Sequence, residues 1–369
     1  MRVLILTASY GSGHNAAAHS LAAAFTAAGA SPTVVDHFHD LVHPVFDRVT
    51  RALYGALLRR APGVWALAYG LGDRMASDSR WSFGVTRLGA RHLVELLDTL
   101  APDAVVTVHA TPAVVLSALA RAGRRIPPHT TVVTDFVAHS QWIAPHVDRY
   151  CVAAEEVKHE FVSRGIAPDR VVVTGVPVRA DFEAAVDPLT ARRALGLAPD
   201  LPLVLAMAGA QGSFGRLADV ARALARVTMP VQAVVVAGHD ARVAEEIRRL
   251  TAGLAIRAEG FVDDVRSLMA AADLLVSKAG GMALAEAMAA EVPLLTYGSL
   301  PGQERRNERF ASRAGIALVA HTPAELGQTL ERALTEPKLL DRLREQMRRV
   351  RRPDASRHIA NLVLGRAAE

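Results

Sequence analysis

Val3-Leu-Ile-Leu6 is an uninterrupted apolar run, Ser9 to Gly13 is rich in glycine and serine, and His14 to Gly29 is an Ala-rich stretch ended by a glycine. A run that is apolar on both faces suits a strand buried in a parallel sheet, and a terminal glycine is a common helix stop. Arg2 to Ala8 is therefore predicted as a strand and His14 to Gly29 as a helix, a β-turn-α unit. Ala104 to Val108, Thr130 to Thr134 and Val171 to Thr174 are further short β-branched runs, separated by helical stretches such as Thr111 to Ala122 and Glu155 to Arg164. Such alternation predicts a parallel sheet with helices on both faces.

The pattern restarts at Pro202 to Ala208, again an apolar run followed by a Gly-rich turn, Gly209 to Gly215, and a helix, Arg216 to Arg226. Runs at Val231 to Ala237, Leu254 to Glu259, Asp273 to Ser277 and Pro293 to Thr296 then alternate with helical segments. Two Rossmann-like halves follow from this, with Asp181 to Asp200, which holds Pro188 and Pro199, as the connector. The expected division is 1–184, 185–350 and a C-terminal helical piece, 351–369.

Residues 41–92 break the alternation: they hold no good strand and carry Phe46, Tyr54, Trp65, Tyr69, Trp81 and Phe83, with eight Arg against three Asp. They read as an inserted helical region. Aromatic and Leu side chains among Arg48, Arg51, Arg59, Arg60, Arg74 and Arg80 suit a surface that dips into an anionic bilayer, and equally a helical cap with solvated arginines.

Composition narrows the class. At 369 residues with 51% hydrophobic and 21% charged side chains, the chain can bury two cores and is neither disordered nor fibrous. Its one cysteine, Cys151, can form no internal disulfide and no thiolate zinc site, so a cytoplasmic setting is expected. Residues 3–35 lack charged side chains, but the apolar run is only four residues long before Thr7, too short for an export signal or a span. A net charge of +5 is compatible with anionic lipid, whereas no recognised nucleic-acid motif is present.

Three Gly-rich turns are the chemical candidates. Ser9-Tyr-Gly-Ser-Gly-His14 follows the first strand and opens a helix, where backbone N–H groups face a ligand; it lacks the G-x-G-x-x-G spacing of a dinucleotide fingerprint. His14 sits at the positive end of that helix, which disfavours imidazolium and keeps a neutral base available, although a plain capping role is the alternative. Ser277-Lys-Ala-Gly-Gly281 precedes the helix Met282 to Ala290, so the amides of Gly280 and Gly281 can hold a diphosphate, and Glu286 one turn on can accept from a ribose diol. The Gly209 to Gly215 turn adds Ser213 and further free amides.

Leu4 to His14, Thr134-Asp135-Phe136 with His139 and Trp142, Val173-Thr-Gly-Val-Pro-Val178, Ser277 to Gly281 and Pro301-Gly-Gln-Glu304 run in an order that resembles the monogalactosyldiacylglycerol synthase and processive diacylglycerol glucosyltransferase family. The resemblance covers residues 3 to about 320 and extends to the peptidoglycan N-acetylglucosaminyltransferase. It implies a GT-B fold, two Rossmann-like domains facing a cleft with a C-terminal helix crossing back to the first, and a bacterial enzyme that inverts at the sugar without a metal or other cofactor. On the donor side it implies Gly209, Ser213, Gly280 and Gly281 near the diphosphate, Phe261 and Val262 near uracil, Glu286 on ribose, Gln303 and Glu304 on the sugar, and Gly212 and Lys278 among the donor-binding residues. On the acceptor side it implies Gly11, Gly13, His139 and Trp142, with His14 and Asp135 as the two candidate bases. Ala279 and Ala283 depart from the family's usual Pro and Thr or Ser.

The expected activity is transfer of glucose or galactose from UDP-glucose or UDP-galactose to diacylglycerol or a similar lipid hydroxyl, giving a β-glycolipid. The expected place is the inner face of the cell membrane, peripherally bound to anionic lipids. Competing readings are another lipid-linked or small-molecule acceptor, a hydrolysing UDP-sugar epimerase, and a UDP-sugar-binding regulator without turnover. His37, His39 and His43 match no structural zinc spacing and read as locally bonded histidines. Six Arg between Arg342 and Arg352 read as a solvated basic helix, with lipid phosphate as the alternative.

Overall fold

The computed structural model describes residues 1–9, 12–60, 63–64, 67, 70, 88–207, 209 and 216–366. Gly11, Gly212 and Ser213, and Trp65, Tyr69, Arg74, Arg80, Trp81 and Phe83 of the insert, lie outside them, as do the side chains of Tyr54, Arg59 and Arg60. The chain forms two compact units, one of Met1–Ala180 with Arg352–Glu369 and the short segment Pro301–Gln303, the other of Asp181–Leu300 with Glu304–Arg351.

Unit 1 is built on a six-stranded parallel sheet: β1 (Arg2–Thr7), β2 (Ser31–Asp36), β3 (Ala104–Thr107), β4 (His129–Val132), β5 (Arg149–Val152) and β6 (Val171–Val173), in the order β2-β1-β3-β4-β5-β6. The apolar run of β1 is explained by its burial on both faces. Val3 and Ile5 pack with Leu21 and Phe25 of the helix Ser12–Ala27, while Leu4 and Leu6 pack with Leu93, Leu97, Val115 and Leu116 on the other side. The C-terminal helix Ala355–Val363 belongs to this unit: Ile359 and Ala360 join the Val3, Ile5 and Phe25 cluster. Gly175 lets it do so, because its φ is +86° and a Cβ there would lie 2.8 Å from Cβ of Arg352.

Unit 2 repeats the plan with β7 (Leu203–Met207), β8 (Gln232–Val236), β9 (Ile256–Glu259), β10 (Leu274–Ser277), β11 (Leu294–Tyr297) and β12 (Ala317–Ala320), ordered β12-β11-β10-β7-β8-β9. The segment read as a connector is helical, Ala180–Glu183 and Pro188–Ala194, and Arg192 fastens it. Its buried guanidinium donates to the carbonyls of Ala271 and Pro199 at 2.8 and 2.9 Å and to Asp273 Oδ2 at 2.6 Å. The basic helix Pro337–Val350 and its exit are tied down by carboxylates: Arg344 pairs with Asp341, Arg348 and Arg351 with Glu291, and Arg349 with Glu345.

Strand order fixes where ligands can reach. In each sheet the connections leave in opposite directions from one adjacent pair, β1 and β3 in unit 1 and β7 and β10 in unit 2. Helices depart to opposite faces there, opening a crevice at the carboxyl ends of the strands.

Two buried histidines make unit 1 acid-sensitive. His37 Nε2 donates to the Leu88 carbonyl, 3.1 Å away, and His129 sits with the hydroxyls of Thr107 and Thr131 at 3.1 and 3.4 Å. Burial pushes both imidazoles down to about 4. An unfolded histidine titrates near 6.5, so below that pH the unfolded chain binds more protons than the folded one and stability falls until the folded value is reached. Each histidine is expected to remove about 3 kcal/mol between pH 6.5 and 4. Urea midpoints measured at pH 7, 5.5 and 4.5 check this, and a flat series would contradict it.

Candidate functional site

On unit 1, the turn after β1 is fixed by side chains. Thr7 Oγ1 donates to Asn15 Oδ1 at 2.8 Å, Asn15 Nδ2 donates to Ser9 Oγ at 2.9 Å, and Ser9 bonds Asp36. The helix begins at Ser12, so Gly13 and His14 occupy its first turn. His14 Nδ1 lies 2.8 Å from the Val108 carbonyl and 3.1 Å from Thr134 Oγ1. A carbonyl only accepts, so Nδ1 carries the hydrogen and Nε2 keeps its lone pair. Burial lowers the His14 pKa, while the carboxylate of Asp135 and the Val108 carbonyl oppose that shift. Asp135 is buried in the loop after β4.

Trp142 joins this group, its ring 6.1 Å from that of His14. His139 is committed to the local turn, its Nδ1 accepting from the Gln141 amide at 3.1 Å. A second imidazole is present that the sequence patterns did not single out. His109 follows β3, caps the helix Ala110–Arg121 and lies edge-to-face against His14, with ring centroids 4.8 Å apart and planes at 82°. The signal for it was available in principle, because a His between a strand and a helix start occurs at both positions, yet only the β1–β3 pairing places them together.

On unit 2, Gly280 caps the helix Gly281–Ala289, and the loop before it is held from beneath. The Ala279 amide donates to buried Ser299 Oγ at 3.1 Å, and fully buried Asn307 donates to the Ala279 carbonyl at 3.2 Å. The Gly280 amide, expected to hold a diphosphate, instead donates to the Lys278 carbonyl at 2.9 Å, whereas the amides of the helix's first turn, from Gly281 on, have no intrahelical acceptor and are available to an anion. Gly280 has open space where a Cβ would stand. Gly209, at φ +80°, is exposed, and Cε of Lys278 lies 3.7 Å from where its Cβ would be. Lys278 Nζ pairs with Glu304 Oε1 at 2.5 Å, and Glu304 Oε2 accepts from the Leu300 amide at 2.8 Å. Glu304 and Gln303 both open the helix Gln303–Arg313.

Glu286 is half-buried in the second turn of the Gly281 helix. Phe261 is 47% exposed with Val262 beside it, and the ring of His239 stacks on Phe261 at 4.4 Å with a 7° interplanar angle. An exposed, stacked aromatic pair is a surface on which a planar base can lie. Ser299, Asn307 and His239 escaped the sequence patterns because each acts from a different strand end or helix than the motif it supports.

Among the described residues no group of three or more His, Cys, Asp or Glu is placed to hold a metal ion. His37, His39 and His43 each make a hydrogen bond, to the Leu88 carbonyl, to Asp40 and from the Val45 amide respectively, the last two local.

Residues 14–178 match the family model of monogalactosyldiacylglycerol (MGDG) synthase, and residues 198–350 match glycosyl transferases group 1. The chain is 30% identical over 366 residues to proteins of Bacillus mycoides and Bacillus cytotoxicus named processive diacylglycerol beta-glucosyltransferase, covering 98% of this chain and 93% of each relative. Its fold is similar to MurG of Acinetobacter baumannii, at TM-score 0.68 and 16% identity with 99% of both chains covered. It is also similar to UDP-GlcNAc 2-epimerase of Neisseria meningitidis bound to UDP-GlcNAc, at TM-score 0.63 and 14% identity with 99% and 100% covered. Two parallel six-stranded units with these neighbours are a GT-B architecture. With near-full-length identity at this level and the family match over the His14 unit, the chain belongs to the monogalactosyldiacylglycerol synthase and processive diacylglycerol glucosyltransferase family and is a hexose-transferring glycosyltransferase.

Proposed function

We propose that this enzyme transfers glucose from UDP-glucose to the free hydroxyl of diacylglycerol, with inversion, giving a β-glucolipid at a membrane surface. The observation that carries the chemistry is His14, whose Nδ1 is fixed on the Val108 carbonyl so that Nε2 is left as a base. The names of the relatives support the lipid acceptor and favour glucose over galactose.

In the proposed reaction the acceptor O–H gives its proton to His14 Nε2 and the oxygen bonds to the sugar's anomeric carbon. The bond from that carbon to the UDP oxygen breaks, and UDP leaves with the electron pair. The amides of the first turn that opens at Gly281 and the ammonium of Lys278 stabilise the departing diphosphate, a role that calls for no metal. Phe261 supports uracil and Glu286 accepts from the ribose hydroxyls. Glu286→Ala is expected to weaken UDP binding about tenfold, on the order of 1.4 kcal/mol. Titration calorimetry with UDP reads this, and unchanged affinity would remove Glu286 from the ribose.

Membrane attachment is proposed through the helix Pro44–Arg60, where Val45, Val49 and Leu53 form an exposed apolar stripe at four-residue spacing, with Arg48 exposed on the same helix. Such a face suits insertion into the headgroup layer of an anionic bilayer. No helix among the described residues is long and apolar enough to cross a membrane. Leu53→Asp should reduce co-sedimentation with anionic vesicles about tenfold without lowering the melting temperature; equal binding would place the membrane face elsewhere.

The reading is tested by UDP release from UDP-glucose and UDP-galactose, with and without diacylglycerol in anionic vesicles and with and without a chelator. Diacylglycerol-dependent, chelator-insensitive release and a β-glucolipid product are expected. Release of UDP and an epimerised sugar without lipid would mark an epimerase, and UDP binding without any release a regulator.

A further inference from the structure

His14 and His109 are each tied to the backbone through Nδ1, but in opposite senses. The Val108 carbonyl 2.8 Å from His14 Nδ1 can only accept, so His14 carries its hydrogen there and presents a lone pair at Nε2. The Thr111 amide donates to His109 Nδ1 at 3.1 Å, so His109 has its lone pair there and its hydrogen at Nε2. Neither Nε2 has a hydrogen-bond partner among the described residues. Both rings are half-buried, packed edge-to-face at 4.8 Å, and Trp142 lies 6.1 and 6.5 Å from them. They follow the adjacent strands β1 and β3, at the crevice of the sheet. Burial holds His109 well below the usual imidazole range, and charge on His14 or His37 lowers it further, so it stays a neutral donor.

One imidazole that accepts and one that donates, side by side, match an alcohol bearing a second oxygen on the neighbouring carbon. We propose that His109 is an acceptor-positioning residue whose Nε2–H donates to that neighbouring oxygen while His14 takes the proton of the reacting hydroxyl. In diacylglycerol the neighbouring oxygen is the ester oxygen at the central carbon. This deepens the proposed function and rests on it: the enzyme selects for a 1,2-oxygenated alcohol over a hydroxyl on a plain alkyl chain.

The test combines a variant with a change of acceptor. His109→Asn keeps a side-chain oxygen able to accept from the Thr111 amide, so the helix cap survives while the imidazole is lost. UDP release is measured with diacylglycerol and with a lipid alcohol of equal chain length in which a methylene replaces the neighbouring oxygen, both in the same anionic vesicles. The wild type should prefer diacylglycerol at least tenfold. H109N should lose that preference, with the diacylglycerol rate falling about tenfold or more and the alcohol rate changing less than twofold. His109→Gln gives the same comparison if H109N folds poorly. A variant that slows both acceptors equally, or neither, overturns the proposal, because a purely structural role cannot discriminate between them. Wild-type enzyme that releases no UDP with diacylglycerol overturns the proposed function and this inference together, whereas an active wild type with an unchanged preference in H109N overturns the inference alone.

Discussion

Replacing His14 with alanine should lower lipid-dependent turnover by about 10²- to 10⁴-fold, the usual range for loss of a general base, while leaving UDP affinity within about twofold. The separation is expected because His14 lies in unit 1 and the residues proposed for UDP lie in unit 2. Equal losses in turnover and UDP binding would show that the variant damages the fold or that His14 serves the nucleotide. Asp135 is the competing base, and its own variant separates the two. The Asp135 carboxylate favours the protonated form of His14, against burial, which favours the neutral form. Asp135→Asn removes the opposing charge, so the His14 pKa drops further and the acid limb of the kcat/KM profile moves to lower pH, with most of the rate retained at neutral pH. If Asp135 were itself the base, Asp135→Asn would instead lose rate at every pH, on the scale assigned here to His14→Ala.

The largest effect on stability is expected at Arg192. Its guanidinium is 7% exposed, and its donors serve the carbonyls of Ala271, Pro199 and Leu201 and the carboxylate of Asp273. Asp273 also accepts from the amide of Leu203 at the entry to β7, so one pair joins the helix Pro188–Ala194 to two strand starts. Arg192→Ala leaves the buried Ala271 carbonyl and the partly buried Asp273 carboxylate without their donor and should destabilise unit 2 by on the order of 3 kcal/mol. Lysine should recover only part, because three donors on one nitrogen cannot reproduce a planar fork. Urea unfolding with and without UDP assigns the transition to unit 2, since a ligand of that unit shifts its midpoint alone. A loss below about 1 kcal/mol would mean that water replaces the guanidinium at these carbonyls.

How much of this is legible without coordinates depends on whether a feature is local. Three β-turn-α units stand out because a both-faces-apolar run followed by glycine leaves few other conformations, and β1, β7 and β10 lie where those runs occur. Arg149–Val152 and Ala317–Ala320 are strands as well, but Arg149 opens the first and no glycine-rich turn follows either, so neither carries the run-plus-turn signature. Burial comes to them from neighbours paired at a distance, β4 and β6 for the first and β11 for the second. The glycine-rich turn Lys278-Ala-Gly-Gly281 is readable, but its support by Ser299 and Asn307 is tertiary and leaves no mark at the motif. His109 shows the same limit in unit 1, since its value lies in the neighbour it touches.

The packing of Ile359 and Ala360 against Val3, Ile5 and Phe25 also sets an order of events during synthesis. Strand β1 leaves the ribosome long before the helix Ala355–Val363, so the cluster of Val3, Ile5, Leu21 and Phe25 lacks Ile359 and Ala360 until that helix has emerged. Unit 2, which lies wholly between, has all its residues available earlier and can complete its core first. A nascent chain therefore passes through an interval in which unit 2 has its full core while the cluster around Leu21 and Phe25 does not, and that interval is when chaperones have a binding surface and proteases a target.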